Sequence, residues 1–425
     1  MSYLGIDFGT SGARAILIDP EGDVLWEQSR PFPPSAPQDW PQMWRETLFT
    51  LLTALPETLK PGVKKICLNG TSATVLLADA QGELLTEPLL YNDGRGRSVL
   101  PQVATLAPAG HLVHSTASSL AKLLWWSEQS YFPKAQYFFH QADWLGFLLH
   151  GQPGISDYHN VLKLGYDVVN LRYPLWLEES FLQPLLPEVL TPGAVIGPLK
   201  PDLARTLGLS PACLIGAGTT DSIAAFLASG AQKPGEAVTS LGSTLALKLL
   251  SQRPVEDLAS GVYSHRLGNL WLAGGASNCG GAVLRQFFSD EQLRELSADI
   301  DPTRPCPYDY YPLPQTGERF PVNDPQKTPQ LTPRPETPVD FLWGLLVGLS
   351  RVEARGYQKL QSLGASPLIR VYSAGGGAQN SVWRRLREQT LGVPVLLSSQ
   401  TQGAYGSALL ARSGEVAILR QLSLG

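Results

Sequence analysis

Apolar positions along this chain recur with two periods, one of strands and one of helices, and glycine-rich turns separate them. Tyr3 to Ile6 and Ala15 to Ile18 are short, β-prone runs joined by the polar stretch Asp7-Phe8-Gly9-Thr10-Ser11-Gly12-Ala13-Arg14, a pattern that predicts a hairpin. Pro20-Glu21-Gly22-Asp23 turns the chain into a third strand, Val24 to Gln28. From Pro41 the residues Trp44, Leu48, Leu51, Leu52 and Leu55 fall at helical spacing, and Lys64 to Leu68 is then a short strand leading into the turn Asn69-Gly70-Thr71-Ser72. Ala212 to Ile215, closed by Gly216-Ala217-Gly218-Thr219-Thr220-Asp221-Ser222 and followed by Ile223, Phe226 and Leu227, reads as strand, turn and helix start. Strands alternating with helices predict an α/β class.

The opening pattern has an echo downstream. Ala237 to Thr239 and Leu245 to Leu249 flank Ser240-Leu241-Gly242-Ser243-Thr244, a second hairpin with a similar tip. Between Asp301 and Pro338 prolines are dense and helical period is lost, so the chain there is extended or looping. Phe341 to Leu363 resumes a helical pattern, and Leu368 to Tyr372 is a strand entering Gly375-Gly376-Gly377-Ala378. Gly230-Ala231-Gln232-Lys233-Pro234-Gly235 reads as a hinge. The expected division is a first domain over 1–229, a second over 230–402, and a last helix, about 403–425, that packs back on the first.

The two tips carry candidate chemistry. Glycine allows tight turns and close approach to a ligand, while tip hydroxyls and N–H groups form a concave nest for phosphate oxygens. Thr10, Ser11 and Gly12 make one nest, and Gly242, Ser243 and Thr244 the other. Two nests suggest a nucleotide held by two related halves. Only the first has an acid, Asp7, placed where a carboxylate holds a phosphate-bound Mg²⁺ directly or through water. Asp221 stands at a glycine-rich strand-to-helix turn, where N–H groups and the helix dipole favour an ionised general base; an ordinary capping aspartate is the competing reading. Gly376 and Asn380, with Trp383 in the following helix, suit a flat purine, although close strand-to-helix packing explains a triple glycine about as well. Asn92-Asp93-Gly94-Arg95, with Ser72 one strand earlier, offers the acceptors and guanidinium a polyhydroxylated ligand needs, or is simply a solvated turn. Trp40, Trp44, Trp125 and Trp126 are assigned to the core, and Asp143 and Asp157 are weaker ligand candidates in an aromatic-rich region.

Composition narrows the field. A chain of 425 residues with 43% hydrophobic and 16% charged residues suits two large globular domains, and a net charge of −4 disfavours nucleic acid as a partner. No apolar run approaches the ~20 residues of a membrane span, and the N-terminus lacks a basic, cleavable leader, so a cytoplasmic protein without a membrane partner is expected. Cys67, Cys213, Cys279 and Cys306 are scattered and histidines number only 6, which suggests neither a zinc site nor a disulfide framework.

In this order, the two loops, Gly218-Thr219-Thr220-Asp221-Ser222, Gly317-Glu318-Arg319-Phe320-Pro321 and Gly375 to Ala378 resemble the FGGY carbohydrate kinase family, over nearly the whole chain. The resemblance implies two ribonuclease H-like domains, of the actin, Hsp70 and hexokinase group, around a cleft that closes on a small-molecule sugar and MgATP. It implies Asp221 as the base that deprotonates a sugar hydroxyl and Asp7 at the metal and the transferring phosphoryl group. Asp7, Thr10, Ser72, Asp93 and Asp221 would then meet the sugar. Thr10, Ser11, Gly12, Gly242, Ser243 and Thr244 would cradle phosphates, and Gly376, Asn380 and Trp383 would meet adenosine. Leu89 to Arg95 looks like the xylulose kinase turn, but the Met-His-Gly of that group is replaced by Ser72-Ala73-Thr74. Gly70-Thr71-Ser72-Ala73 is closer to kinases for ribulose, and the short chain resembles the D-ribulose kinases of cyanobacteria and plants, which keeps a plastid or cyanobacterial cytosol open beside the expected cytoplasm. The sugar implied is D-ribulose, phosphorylated at O5, with D-xylulose as the alternative. The family's Glu near the last helix is replaced by Thr401, which implies weaker nucleotide binding. A non-catalytic ATP-binding sensor or scaffold, and a phosphohydrolase of the same superfold, are the readings of another class.

Overall fold

The computed structural model describes residues 1–33 and 39–415. The expected last helix is seen as Gly403–Ser413, and the part of that expectation beyond 415 lies outside the described residues. The chain forms two compact units, Met1–Ala228 with Gln402–Gly425, and Ser229–Thr401.

In the first unit, β1 (Ser2–Phe8), β2 (Gly12–Ile18) and β3 (Val24–Pro31) form an antiparallel meander. β4 (Val63–Gly70) lies parallel to β1 on its other side. Two short pairs flank the main sheet: β5 (Val75–Ala78) with β6 (Tyr137–His140), and β7 (Ile155–Asp157) with β8 (Glu188–Leu190). β9 (Val195–Pro198), β10 (Leu214–Gly216) and β11 (Thr219–Thr220) complete it in the order β3-β2-β1-β4-β10-β9, with β11 also parallel to β4. The structure corrects one boundary. Asn69 and Gly70 belong to β4, because β1 and β11 supply partners on both sides of them.

The helix Trp40–Thr53 starts where the Asp39 side chain accepts from the Gln42 N–H and Pro41 sets the first turn. Its apolar stripe of Trp44, Leu48, Leu51 and Leu52 joins Leu4, Ile6 and Phe8 in the core, together with Leu145 and Leu149 of the helix Gln141–His150. Gly403–Ser413 returns to cover Ile16 and Ile18 with Ala404 and Ala408. Its approach depends on missing side chains. A Cβ on Gly5 would lie 2.0 Å from the Ala404 carbonyl oxygen, and one on Gly406 would lie 1.9 Å from that of Ala224, in the helix Asp221–Ala228.

The second unit repeats the arrangement of strands. β12 (Glu236–Leu241), β13 (Leu245–Ser251), β14 (Tyr263–Leu267), β15 (Leu270–Ser277), β16 (Arg370–Ala374) and β17 (Val395–Leu397) form one sheet in the order β14-β15-β13-β12-β16-β17. β12, β16 and β17 are parallel, and β12–β13 is the second hairpin. The helix Pro338–Ser362 buries Leu342, Leu345, Leu346 and Leu349 in this unit's core, whereas most of 301–337 has no regular structure.

Candidate active site

Strands β1, β4 and β11 of the first unit are parallel, so their carboxyl ends carry polar residues to one end of the sheet, the usual place for ligands in α/β folds. Asp7 is in register with Asn69, and Asn69 with Thr219. Asp221 follows Thr220 as the first residue of its helix, and its Oδ1 accepts from the Ser222 N–H at 2.6 Å. A Cβ on Gly403, at the start of the returning helix, would lie 3.1 Å from Asp7 Cγ and 3.3 Å from Asn69 Nδ2. Asp7, Asn69 and that helix start are thus neighbours.

The Asp7 carboxylate accepts no hydrogen bond from any described residue. Burial pushes it up to about 7 and the charge of Asp221 adds to the shift, with Arg14 opposing. Two further groups here are unsatisfied. Asn69 Nδ2 donates to Ser407 Oγ at 2.8 Å, yet the buried Asn69 Oδ1 and Thr220 Oγ1 have no partner among the described residues. Asn69 was missed in the sequence because Asn-Gly reads as turn chemistry; only its pairing on both sides turns it into this site.

The first hairpin tip closes through Gly9 N–H to the Gly12 carbonyl at 3.0 Å, and the Ser11 carbonyl accepts from Phe32 N–H at 2.9 Å. Thr10 and Ser11 are exposed, and their hydroxyls have no partner among the described residues. Gly12 has a packing role: a Cβ there would lie 2.7 Å from the Arg30 carbonyl oxygen on β3.

Ser72 is half-buried and its hydroxyl is likewise unpartnered among the described residues. Asp93 and Arg95, expected to offer an acceptor and a guanidinium to a ligand, are paired with each other. The guanidinium takes the carboxylate in a fork, Nη2 at 2.7 Å and Nε at 3.0 Å. Burial pushes the Asp93 carboxyl up, but hydrogen bonds from Arg95, and the charges of Arg95 and Lys122, hold it below its ordinary value. Arg95 also stacks on Trp125 at 4.9 Å, so this half-buried tryptophan supports the turn, whereas Trp44 and Trp126 are core. Asp143 and Asp157 are buried. Asp143 accepts from His140, and Asp157 is pushed up to about 8 by burial and by Asp143, with Asn160 and the His159 N–H opposing.

In the second unit, β12 and β16 deliver their loops to a cavity of about 770 Å³ lined by Gly242, Ser243, Gly376, Gly377, Asn380 and Trp383. The triple glycine has mixed causes. Gly375 has φ +82° and a Cβ there would meet the Leu241 carbonyl at 2.8 Å; one on Gly377 would lie 2.5 Å from the Trp383 ring. A Cβ on Gly376 would meet nothing within 4 Å, so packing leaves that position open to a ligand. Asn380 caps the helix Ser381–Leu391 by accepting from the Trp383 N–H at 2.9 Å, and donates to Ser297 Oγ at 2.8 Å. Arg285, Arg294 and Ser297, which the sequence did not single out, also line the cavity. Thr244 is exposed at the hairpin tip and is not among the lining residues.

Among the described residues no three His, Cys, Asp or Glu side chains cluster where they could hold a metal ion together, and no helix is long and apolar enough to cross a membrane.

Residues 2–228 match the N-terminal domain of the FGGY family of carbohydrate kinases, and residues 237–414 match its C-terminal domain. The chain is 26% identical over 448 residues to a xylulose kinase of Escherichia coli (strain K12), with 99% of this chain and 91% of that protein covered. It is 24% identical over 451 residues to a gluconokinase of Bacillus licheniformis, with 94% and 86% covered. Among solved structures, a xylulose kinase from Rhodospirillum rubrum superposes with a TM-score of 0.85 at 22% identity, covering 99% of this chain and 92% of that one. A Plasmodium falciparum glycerol kinase with ADP gives 0.82 at 16%, covering 96% and 88%. At these identities the structural likeness speaks for the fold.

Proposed function

Because this chain belongs to the FGGY family of carbohydrate kinases, matched in both domains, we propose that it transfers the γ-phosphoryl group of ATP to O5 of a ketopentose, D-ribulose. Asp221 takes the proton from the 5-hydroxyl as that oxygen bonds to the γ-phosphorus and the bond to the β,γ-bridging oxygen breaks, leaving ADP. Thr10 and Ser11, and in the second unit Gly242 and Ser243, offer donors to phosphate oxygens, and the Gly376–Trp383 cavity takes the nucleoside. Ser72 offers the sugar a hydroxyl that has no partner among the described residues, and Asp93 and Arg95 present a fixed ion pair beside it.

The observation that carries this reading is Asp7: a half-buried carboxylate without a partner among the described residues, pushed up to about 7, beside a second carboxylate. Such a pair fits a cation that arrives with substrate phosphates rather than one in a protein cage. Asp7 would hold Mg²⁺, with Asn69 Oδ1, unpartnered among the described residues, close by. The ion supplies charge neutralisation at the phosphates. The Ser72-Ala73-Thr74 segment supports D-ribulose, while the names of the relatives favour D-xylulose as the second reading. ADP release with each ketopentose, with the product identified by mass, tests both: stimulation by D-xylulose alone would replace the first reading with the second.

A further inference from the structure

Lys122, in the helix Ser119–Ser127 of the first unit, is fully buried, a rare state for lysine. Its Nζ donates to two backbone carbonyls, those of Ala73 at 2.7 Å and Leu90 at 2.6 Å. Each acceptor adjoins a candidate sugar residue: Ala73 follows Ser72, and Leu90 precedes the turn that carries Asp93 and Arg95. Ala73 has φ +62°, in the left-handed region that non-glycine residues rarely adopt.

The same helix holds the second arm again. Trp125, three residues along and therefore on the same face, lies under the Arg95 guanidinium at 4.9 Å. Gly96 sits so close that a Cβ there would be 2.7 Å from the Ala121 methyl. The two arms are already joined on their far side, where Val75 and Leu89 exchange N–H···O bonds at 3.0 Å. Lys122 ties them on the side of Ser72 and Asp93. Burial lowers its pKa to about 7, with Asp93 opposing and Lys163 and Arg95 adding to the fall, so the position carries a cost that an uncharged residue would avoid.

We propose that Lys122 is a positioning residue for the sugar: its ammonium clamps the Ala73 and Leu90 carbonyls and so sets the spacing between Ser72 and the Asp93–Arg95 pair. The proposal rests on the kinase reading for its sugar and on the geometry for its clamp, and the two separate in the test. Wild type, Lys122→Met and Lys122→Arg are compared in steady-state kinetics with D-ribulose, D-xylulose and MgATP, and in amide hydrogen exchange without ligand. For Lys122→Met, KM for the ketopentose that wild type uses is expected to rise about tenfold or more while KM for MgATP stays within about twofold. Exchange is expected to quicken in segments 71–75 and 89–96 together. Equal changes in both KM values, or quickened exchange in only one segment, would overturn the clamp. If the Met variant does not fold, Lys122→Arg decides: its broad guanidinium keeps the charge but not the compact geometry, so the ketopentose KM is expected to rise about threefold or more, and an unchanged value overturns the proposal. Should wild type use no ketopentose, the ketopentose reading fails, and the exchange comparison still decides the clamp.

Discussion

Asp7 links the chemistry of the site to the stability of the protein. Its carboxyl goes from an ordinary 3.8 to about 7 on folding, so between those values the folded state binds a proton that the unfolded state has released. Stability from this group is therefore full below about pH 4 and is lost as pH rises through 7. Asp7→Asn removes the titration. Relative to wild type, the ligand-free variant is expected to gain about 1–3 kcal/mol at pH 8.5, about half as much at pH 5.5 and little at pH 4, read from chemical denaturation at each pH. The same variant is expected to lose sugar-dependent ADP release. Asp221→Ala should lower that release by about 10²- to 10⁴-fold while the fold persists, as loss of a general base does. Because Asp221 helps to raise Asp7, it should also flatten the pH dependence of stability. At this scale the sequence was legible in backbone position alone: Asp7 falls near the end of β1, Asp221 at a helix start and Gly376 after β16, as their motifs predict. Asn69 and Lys122 stayed hidden, since their roles depend on partners 338 and 49 residues away.

Elements behave differently, because their positions are set by absent side chains as much as by present ones. A methyl on Gly406 would enter the backbone of Ala224, in the helix that begins with Asp221, and neither helix backbone can yield cheaply. Gly406→Ala is expected to cost about 3 kcal/mol or more, measured by urea denaturation, as overpacking against backbone does. Gly376→Ala is the opposite case. Open space surrounds that position, so stability should stay within about 1 kcal/mol while KM for ATP rises several-fold, read by thermal unfolding and kinetics together. The strands and the two hairpins were legible because period and glycine tips are local. The close contact of Gly403–Ser413 with β1 was not, since nothing in residues 1 to 8 shows that Gly5 is kept bare for a helix some 400 residues later. Asp93 and Arg95 gave a similar lesson: adjacent acceptor and donor looked available, and the folded turn pairs them with each other.

For the whole molecule, the two units carry the same succession of strands, a hairpin followed by parallel neighbours, and each presents polar loops at the carboxyl ends of its parallel strands. The first offers carboxylates and the second a cavity of about 770 Å³. That only the first hairpin tip has an acid was readable in the sequence. The identity of the sugar was not, because specificity depends on the shape of a pocket, a matter of packing rather than motif. The most direct measurement is ADP release from MgATP with D-ribulose, D-xylulose, L-ribulose, glycerol and no sugar, with the mass of each product determined. Stimulation by D-ribulose, with a singly phosphorylated ketopentose as product and no such response from Asp221→Ala, is the expected result. A rate that no sugar raises, or a wild-type rate in Asp221→Ala, would contradict the assignment of this site to phosphoryl transfer.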